Sequence, residues 1–153
     1  MKNSKYRNGV GIFLINKKRK LWVGRRVDSE KYWQMPQGGI DKSENEVDAM
    51  RRELKEEIGT DKVEIISKTK DCLKYHIPNN ILKNLWKGQF IGQSQRWFAC
   101  KYKGEDSDIN IKLFKPEFSK WKWIDPREAI DIVVPFKRKM YRHILEEFKE
   151  FYM

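Results

Sequence analysis

The stretch GGIDKSENEVDAMRRELKEEIGT, residues 38–60, limits the fold more than any other part of the chain. Val47, Met50, Leu54 and Ile58 return at intervals of three and four, which makes one stripe on a helix turning about 100° per residue. Ser43 stands where an N-cap belongs, Glu46 completes a capping box, and Gly59 is a natural stop. Glu53, Glu56 and Glu57 crowd an arc roughly opposite the stripe. Like charges at that spacing cost roughly 0.2–0.5 kcal/mol per pair. An ordinary solvated face, with the acids paired to Arg51, Arg52 or Lys55, is the plain explanation. Against it stands MPQGG just upstream, which reads as a Gly-Gly turn facing the acids.

Carboxylates gathered on a rigid helix bind hard divalent cations through oxygen. Mg²⁺ suits such a site because it keeps some waters and shares phosphate oxygens with a substrate. Such an ion cancels the like-charge penalty, acidifies bound water and screens an incoming phosphate chain. A carbonyl of the Gly-Gly turn, at Gly38, is a further oxygen within reach, since glycine lets backbone approach closely.

Around this helix the pattern is that of strands. Residues 9–15 (GVGIFLI) form a buried strand, and KKRK turns it into LWVG as a hairpin. Further strands are expected over 63–67, 72–77, 95–102 and 120–124. Residues 137–152 place Met140, Ile144, Phe148 and Phe151 on one face of a last helix. Strands before and after a central helix, with another helix at the end, give the α/β class and a mixed sandwich. No repeat or linker divides the chain, so 1–153 is read as a single domain. Eight Phe, six Trp and six Tyr supply a core of globular type.

The net charge is +11. It invites a polyanionic partner, although Lys, Ile and Asn are abundant throughout the chain and global charge alone decides little. Cys72 and Cys100 match no zinc spacing and are too few for a disulfide scaffold; both are read as buried or half-buried thiols. The basic start and apolar run of MKNSKYRNGVGIFLIN are too short for a leader, and no stretch approaches a membrane span. The expectation is a cytoplasmic protein with no membrane or DNA-specific binding, acting as a monomer. His76 and His143 form no ligand or triad spacing. Trp22, Trp33, Trp97, Trp121 and Trp123 are read as packing.

The acidic stretch also matches a known pattern. Five residues separate Gly38 from Glu44, seven separate Glu44 from Arg52-Glu53, and Leu54, Glu56-Glu57 and Gly59 follow. This resembles the Nudix box, G-x5-E-x7-R-E-U-x-E-E-x-G-U, with U a bulky apolar residue. Only Thr60, at the last U, departs; it weakens an apolar contact and touches no ligand. By background composition the fixed positions coincide at on the order of one start in 10⁹, so chance is not the explanation. Outside the box, YRNGVGIFLIN, WVGRR, WQMPQGGI, GQSQRWF, PEFSKWKWI and VPFKRKMYRHILEEF are similar to the bacterial RNA pyrophosphohydrolases. That branch of the family is also described as dinucleoside polyphosphate hydrolases.

The resemblance implies an alpha-beta-alpha sandwich with a mixed beta-sheet core, the box helix lying between sheets. It implies Mg²⁺-dependent attack of water on a phosphorus of a 5′-triphosphate, with Mn²⁺ or another divalent metal as substitute. The substrate would be 5′-triphosphorylated RNA or a dinucleoside polyphosphate. Glu53, Glu56 and Glu57 would be metal ligands, joined by Gly38 and by Glu117 from a later loop. Glu53 would also serve as a base, and Arg52 would orient the carboxylates. Arg7 and Arg26 would face the phosphates; Arg25, its neighbour on an extended strand, must point the other way. Phe136 and Lys137 would stack and anchor a base, with Tyr75 on the pocket wall.

Overall fold

Two long strands, β1 (Tyr6–Ile15) and β7 (Gly92–Tyr102), run parallel through the centre of a computed structural model that describes residues 5–153. Their register is unbroken from Tyr6 opposite Gly92 to Ile15 opposite Lys101. Four others are β2 (Leu21–Arg26), β3 (Trp33–Gln34), β4 (Gln37–Gly39) and β5 (Val63–Lys68). With β6 (Leu73–His76) and β8 (Phe118–Ile124) they complete one eight-stranded mixed sheet. Its main path is β3-β2-β1-β7-β5; β4 adds to β1, β6 to β7 and β8 to β2. Residues 1–4, with the basic residue Lys2 of the chain's start, lie outside the described residues. Among them no helix is long and apolar enough to cross a membrane.

Alternation along β1 sorts the core into two layers. Val10, Ile12 and Leu14 pack with Met50, Leu54 and Ile58 of the helix α1 (Glu46–Ile58). Phe13 and Ile15 face the other way, toward Tyr141, Ile144 and Phe148, where the helix α4 (Arg138–Glu147) covers the sheet. Short helices α2 (Asn79–Leu82) and α3 (Ala129–Ile132) lie in the connections. The result is helix, sheet, helix. Met50, Leu54 and Ile58 are fully buried, and truncating one such side chain to alanine costs about 2–5 kcal/mol.

Five sequence readings need correction. The helix begins at Glu46, and its cap is Asn45, whose side chain accepts the Asp48 N–H; Ser43 instead takes a left-handed φ of 69°. Asn is as good a cap as Ser, so the capping signal was displaced by two residues. Val47 is exposed (42%), and Ala49 takes its place in the buried stripe. Residues 37–39 form a strand, not a Gly-Gly turn, with Gly38 opposite Val10 and Gly39 opposite Gly9. Cys72 is exposed, while Cys100 is buried. The last helix is also shorter than its apolar period, because Phe148 closes it and a 3₁₀ turn carries on through Lys149–Phe151.

Candidate functional site

Capped by Asn45 and stopped at Gly59, whose N–H bonds the Lys55 carbonyl at φ 84°, α1 holds its acids against β4. The Glu57 side chain is buried rather than solvated, and its Oε1 accepts the Gln37 N–H at 3.3 Å. Glu53 occupies the space that a side chain at position 38 would need: a Cβ on Gly38 would overlap its carboxylate. Glycine is therefore required by close approach, not by an unusual φ.

Arg52 shows how differently the acids of this stretch are treated. It donates to both Glu44 oxygens at 2.8 and 2.9 Å and to the Gly39 carbonyl at 2.8 Å. Its Nη1 lies 3.4 Å from an oxygen of both Glu53 and Glu56. The Arg52 hydrogen bonds, helped by the Asp41 N–H, hold the Glu44 carboxyl down to about 2. Burial instead pushes Glu53 up to about 7, with Arg52 opposing and Glu56 adding to the rise. Glu57 is raised by burial first, then by Glu53 and by Glu117. Glu53, Glu56, Glu57 and Glu117 thus repel one another, and most of the nearby Arg is committed to Glu44 and a carbonyl.

As the side chains stand, no three His, Cys, Asp or Glu among the described residues form a ready ligand group. The donor chemistry nevertheless fits a hard divalent cation. Carboxylates packed where only glycine leaves room, mutually repelling and desolvated, are what an added positive ion would relieve.

Beside the acids opens a cavity of about 420 Å³, lined among others by Arg26, Tyr75, Trp86, Gln93, Phe136 and Lys137. Tyr75 and Phe136 stack with centroids 6.0 Å apart. Buried Lys137 donates to Gln34 Oε1 at 2.9 Å and Gln37 Oε1 at 3.1 Å. Burial, with Arg26 repulsion, lowers its ammonium to about 7. Tyr75 Oη accepts from Gln37 Nε2 at 3.1 Å and Gln93 Nε2 at 2.7 Å. Gln93 Oε1 is buried without a hydrogen-bond partner. Gln37 joins the two halves, its backbone serving Glu57 and its side chain serving Lys137 and Tyr75.

The cations expected from sequence fall on two sides. Arg26 is at the cavity, paired to Asp28 at 2.7 Å, while Arg25 donates to Ser119 Oγ at 3.2 Å. A β-bulge separates the two, which re-aims a strand's side chains. Arg7 packs its guanidinium over the Trp86 ring, 5.5 Å from the centroid, and fills the space left open by Gly39. Glu117 sits just before β8 and is exposed, yet close enough to act on Glu57 and Arg26. Gln34, Gln37, Gln93 and Trp86 were missed. The only signal for the glutamines was polar residues inside WQMPQGG and GQSQRWF, strands otherwise meant for burial.

A carboxylate shelf that wants a cation, a stacking cavity beside it and a fold with helices on both faces of a mixed sheet together define a class. The NUDIX domain model matches residues 5–144: the chain belongs to the Nudix family. It is 46% identical over 150 residues to the RNA pyrophosphohydrolase of Orientia tsutsugamushi strain Boryong, covering 97% of this chain and 93% of that protein. It is also 46% identical over 149 residues to the protein of the same name from Pelagibacter ubique, covering 97% and 94%. In structure it is similar to the E. coli dihydroneopterin triphosphate pyrophosphohydrolase, with TM-score 0.72, 17% identity and 93% and 98% of the two chains covered. A C. elegans Ap4A hydrolase complex follows at TM-score 0.69 and 21% identity, covering 94% and 98%. These structural likenesses confirm the mixed α/β fold.

Proposed function

We propose that this chain is a divalent-metal-dependent RNA 5′-pyrophosphohydrolase, acting as one domain over residues 1–153 and as a monomer. The observation that carries the reading is the coupling, through Gln37, of the acidic shelf to a cationic stacking cavity. One part handles phosphates and the other a base, on one rigid strand. The relatives named RNA pyrophosphohydrolase, matched over nearly their whole length, support RNA as the substrate. Free Cys72 and Cys100 suit a reducing cytoplasm.

In this reading Glu53, Glu56 and Glu57, with Glu117 and the Gly38 carbonyl, hold Mg²⁺ or Mn²⁺. The ion would supply charge for the phosphate oxygens and a more acidic water. Arg7 and Arg26 grip phosphate oxygens, Arg being suited by its planar fork. Phe136 and Tyr75 stack a base, while Lys137, held by Gln34 and Gln37, points charge at the entering nucleotide. Water adds to phosphorus, its proton passes to Glu53, and one P–O anhydride bond breaks. The bonding pair leaves with pyrophosphate, and the RNA keeps a 5′-monophosphate. Arg52 keeps Glu53 and Glu56 in place and touches no substrate.

Stacking accepts any base, so the same cavity favours a second reading, a diadenosine tetra- or pentaphosphate hydrolase. Purified protein with Mg²⁺ should release pyrophosphate from triphosphorylated RNA with a specificity constant above that for either dinucleotide. RNA left intact while dinucleotides turn over makes the second reading the right one.

A further inference from the structure

We infer that the β2–β8 face beside the cavity is a track for the RNA strand downstream of the first nucleotides. The inference rests on the RNA reading above. Lys120 and Lys122 are two apart on β8 and so project from one face of the sheet. Register places Lys120 and Trp33 on either side of Arg25, and Lys122 opposite Val23. Arg25, Trp33, Lys120 and Lys122 therefore share that face. Trp33 lines the cavity, and Lys122 Nζ rests 4.2 Å from its ring centroid. That contact holds the ammonium at the cavity rim, an arrangement worth about 0.5–1 kcal/mol at exposed sites.

The charge on this face is open to a polyanion. Arg25, Lys120 and Lys122 make no ion pair with any carboxylate among the described residues. A denser basic run, Lys17 to Lys20, lies in the turn after β1, at the opposite end of that strand from Arg7. Its flanking hollows are shared with Glu105, Asp106 and Glu150. A phosphate chain leaving the cavity would meet repulsion there and unpaired cations here. The spacing also suits a strand: cations separated by one strand repeat, about 6.5–7 Å, can meet successive phosphates of an extended RNA. An occupant needing a flat apolar surface finds none, since the exposed residues of β8 here are Ser119, Lys120 and Lys122.

The test compares a triphosphorylated dinucleotide with a long triphosphorylated RNA of the same 5′ sequence, using wild type and the double variant Lys120→Gln/Lys122→Gln. The variant should raise KM for the long RNA about tenfold at low salt and flatten its salt slope by about 0.7 per lost cation. The dinucleotide should turn over as in wild type, which also shows that the variant is folded. Equal effects on both substrates, or none on either, overturn the track while leaving the RNA reading intact. A wild-type enzyme that leaves both RNA substrates uncut overturns the RNA reading and the track with it.

Discussion

The acidic shelf and the cavity adjoin but are built on opposite terms. On the shelf, Glu53 and Glu57 are desolvated beside further carboxylates, and both are raised as a result. In the cavity, Lys137 is equally deep, yet two glutamine oxygens and an aromatic face receive its ammonium. Lys137 keeps hydrogen-bond partners but no salt bridge among the described residues, and burial lowers its ammonium to about 7, whereas the shelf carboxylates lack a cation of their own. Such a site suits the proposed reading, in which a positive ion would meet the shelf and an anion with a flat ring the cavity. The contrast also separates residues of one type on one stretch. Glu44, saturated by Arg52, holds the frame, and Glu57, left without a cation, is available for chemistry.

Replacing a shelf carboxylate should do the most damage. Glu57→Gln keeps an oxygen for the Gln37 N–H and removes a buried charge, so the melting temperature should hold or rise. Catalysis should fall by about 10²–10⁴-fold, the range for a positioned group in the reacting shell. Steady-state rates with triphosphorylated RNA, alongside thermal melts, check both halves. A variant with full activity would break the distinction between shelf and frame at its centre.

Phe136→Ala attacks the other side. Losing a stacked base costs about 1–3 kcal/mol, so KM should rise roughly five- to 150-fold, with kcat changing less. A drop in kcat with KM unmoved would mean that Phe136 supports the shelf rather than the substrate.

These two positions also show what was legible beforehand. The shelf came from a contiguous stretch because a helix turns spacing directly into a face; Glu53, Arg52 and Glu57 could be read from periodicity and family pattern alone. The burial of Glu57 could not. On the helical ruler it stood opposite the apolar stripe, and only the strand made by Gln37, Gly38 and Gly39 closes over it. The cavity draws on Arg26, Tyr75 and the adjacent pair Phe136-Lys137, with Arg7 beside it on Trp86, four separate segments in all, so without the family resemblance no local period would have gathered them. Gln37 had only its polar character inside WQMPQGG as a signal, and Trp86 had none. Their roles arise from β4 pairing with β1 and from a 3₁₀ turn that lays the indole under Arg7.

Acid titration sharpens the comparison with a smaller effect. A carboxyl raised in the folded protein binds a proton there that the unfolded chain has released. The Glu53 contribution is therefore fully present below about 4.5 and lost as pH rises through about 7. Lys137 acts in the other direction. Its folded value is depressed to about 7, so its contribution is present above the ordinary 10.5 and is lost as pH falls through about 7. Metal-free protein should thus pass through its lowest stability from these groups near neutrality. Adding Mg²⁺ should abolish the decline on the acidic side and leave the Lys137 arm. Melting curves in chelator and in Mg²⁺ across that range measure it. An acidic arm that Mg²⁺ does not change would remove the shelf's claim to a cation.

The smallest effect belongs to Thr60, the one departure from the box. It is 7% exposed, and its Oγ1 accepts the Lys62 N–H at 3.2 Å, bridging the turn out of α1. An apolar residue here would serve by packing; threonine serves by closing the turn and giving the Lys62 N–H a partner. Thr60→Val exchanges these terms. The lost hydrogen bond costs about 0.5–1.5 kcal/mol, and the added methyl returns about 0.8 kcal/mol. Stability should therefore move by no more than about 1 kcal/mol, and kcat should not move, because Gly59 ends the helix before any strain reaches Glu57. A tenfold change in kcat with stability unaltered would show that the turn after the helix positions the carboxylates, and the separation of frame from shelf would then extend one residue less than the hydrogen bonds place it.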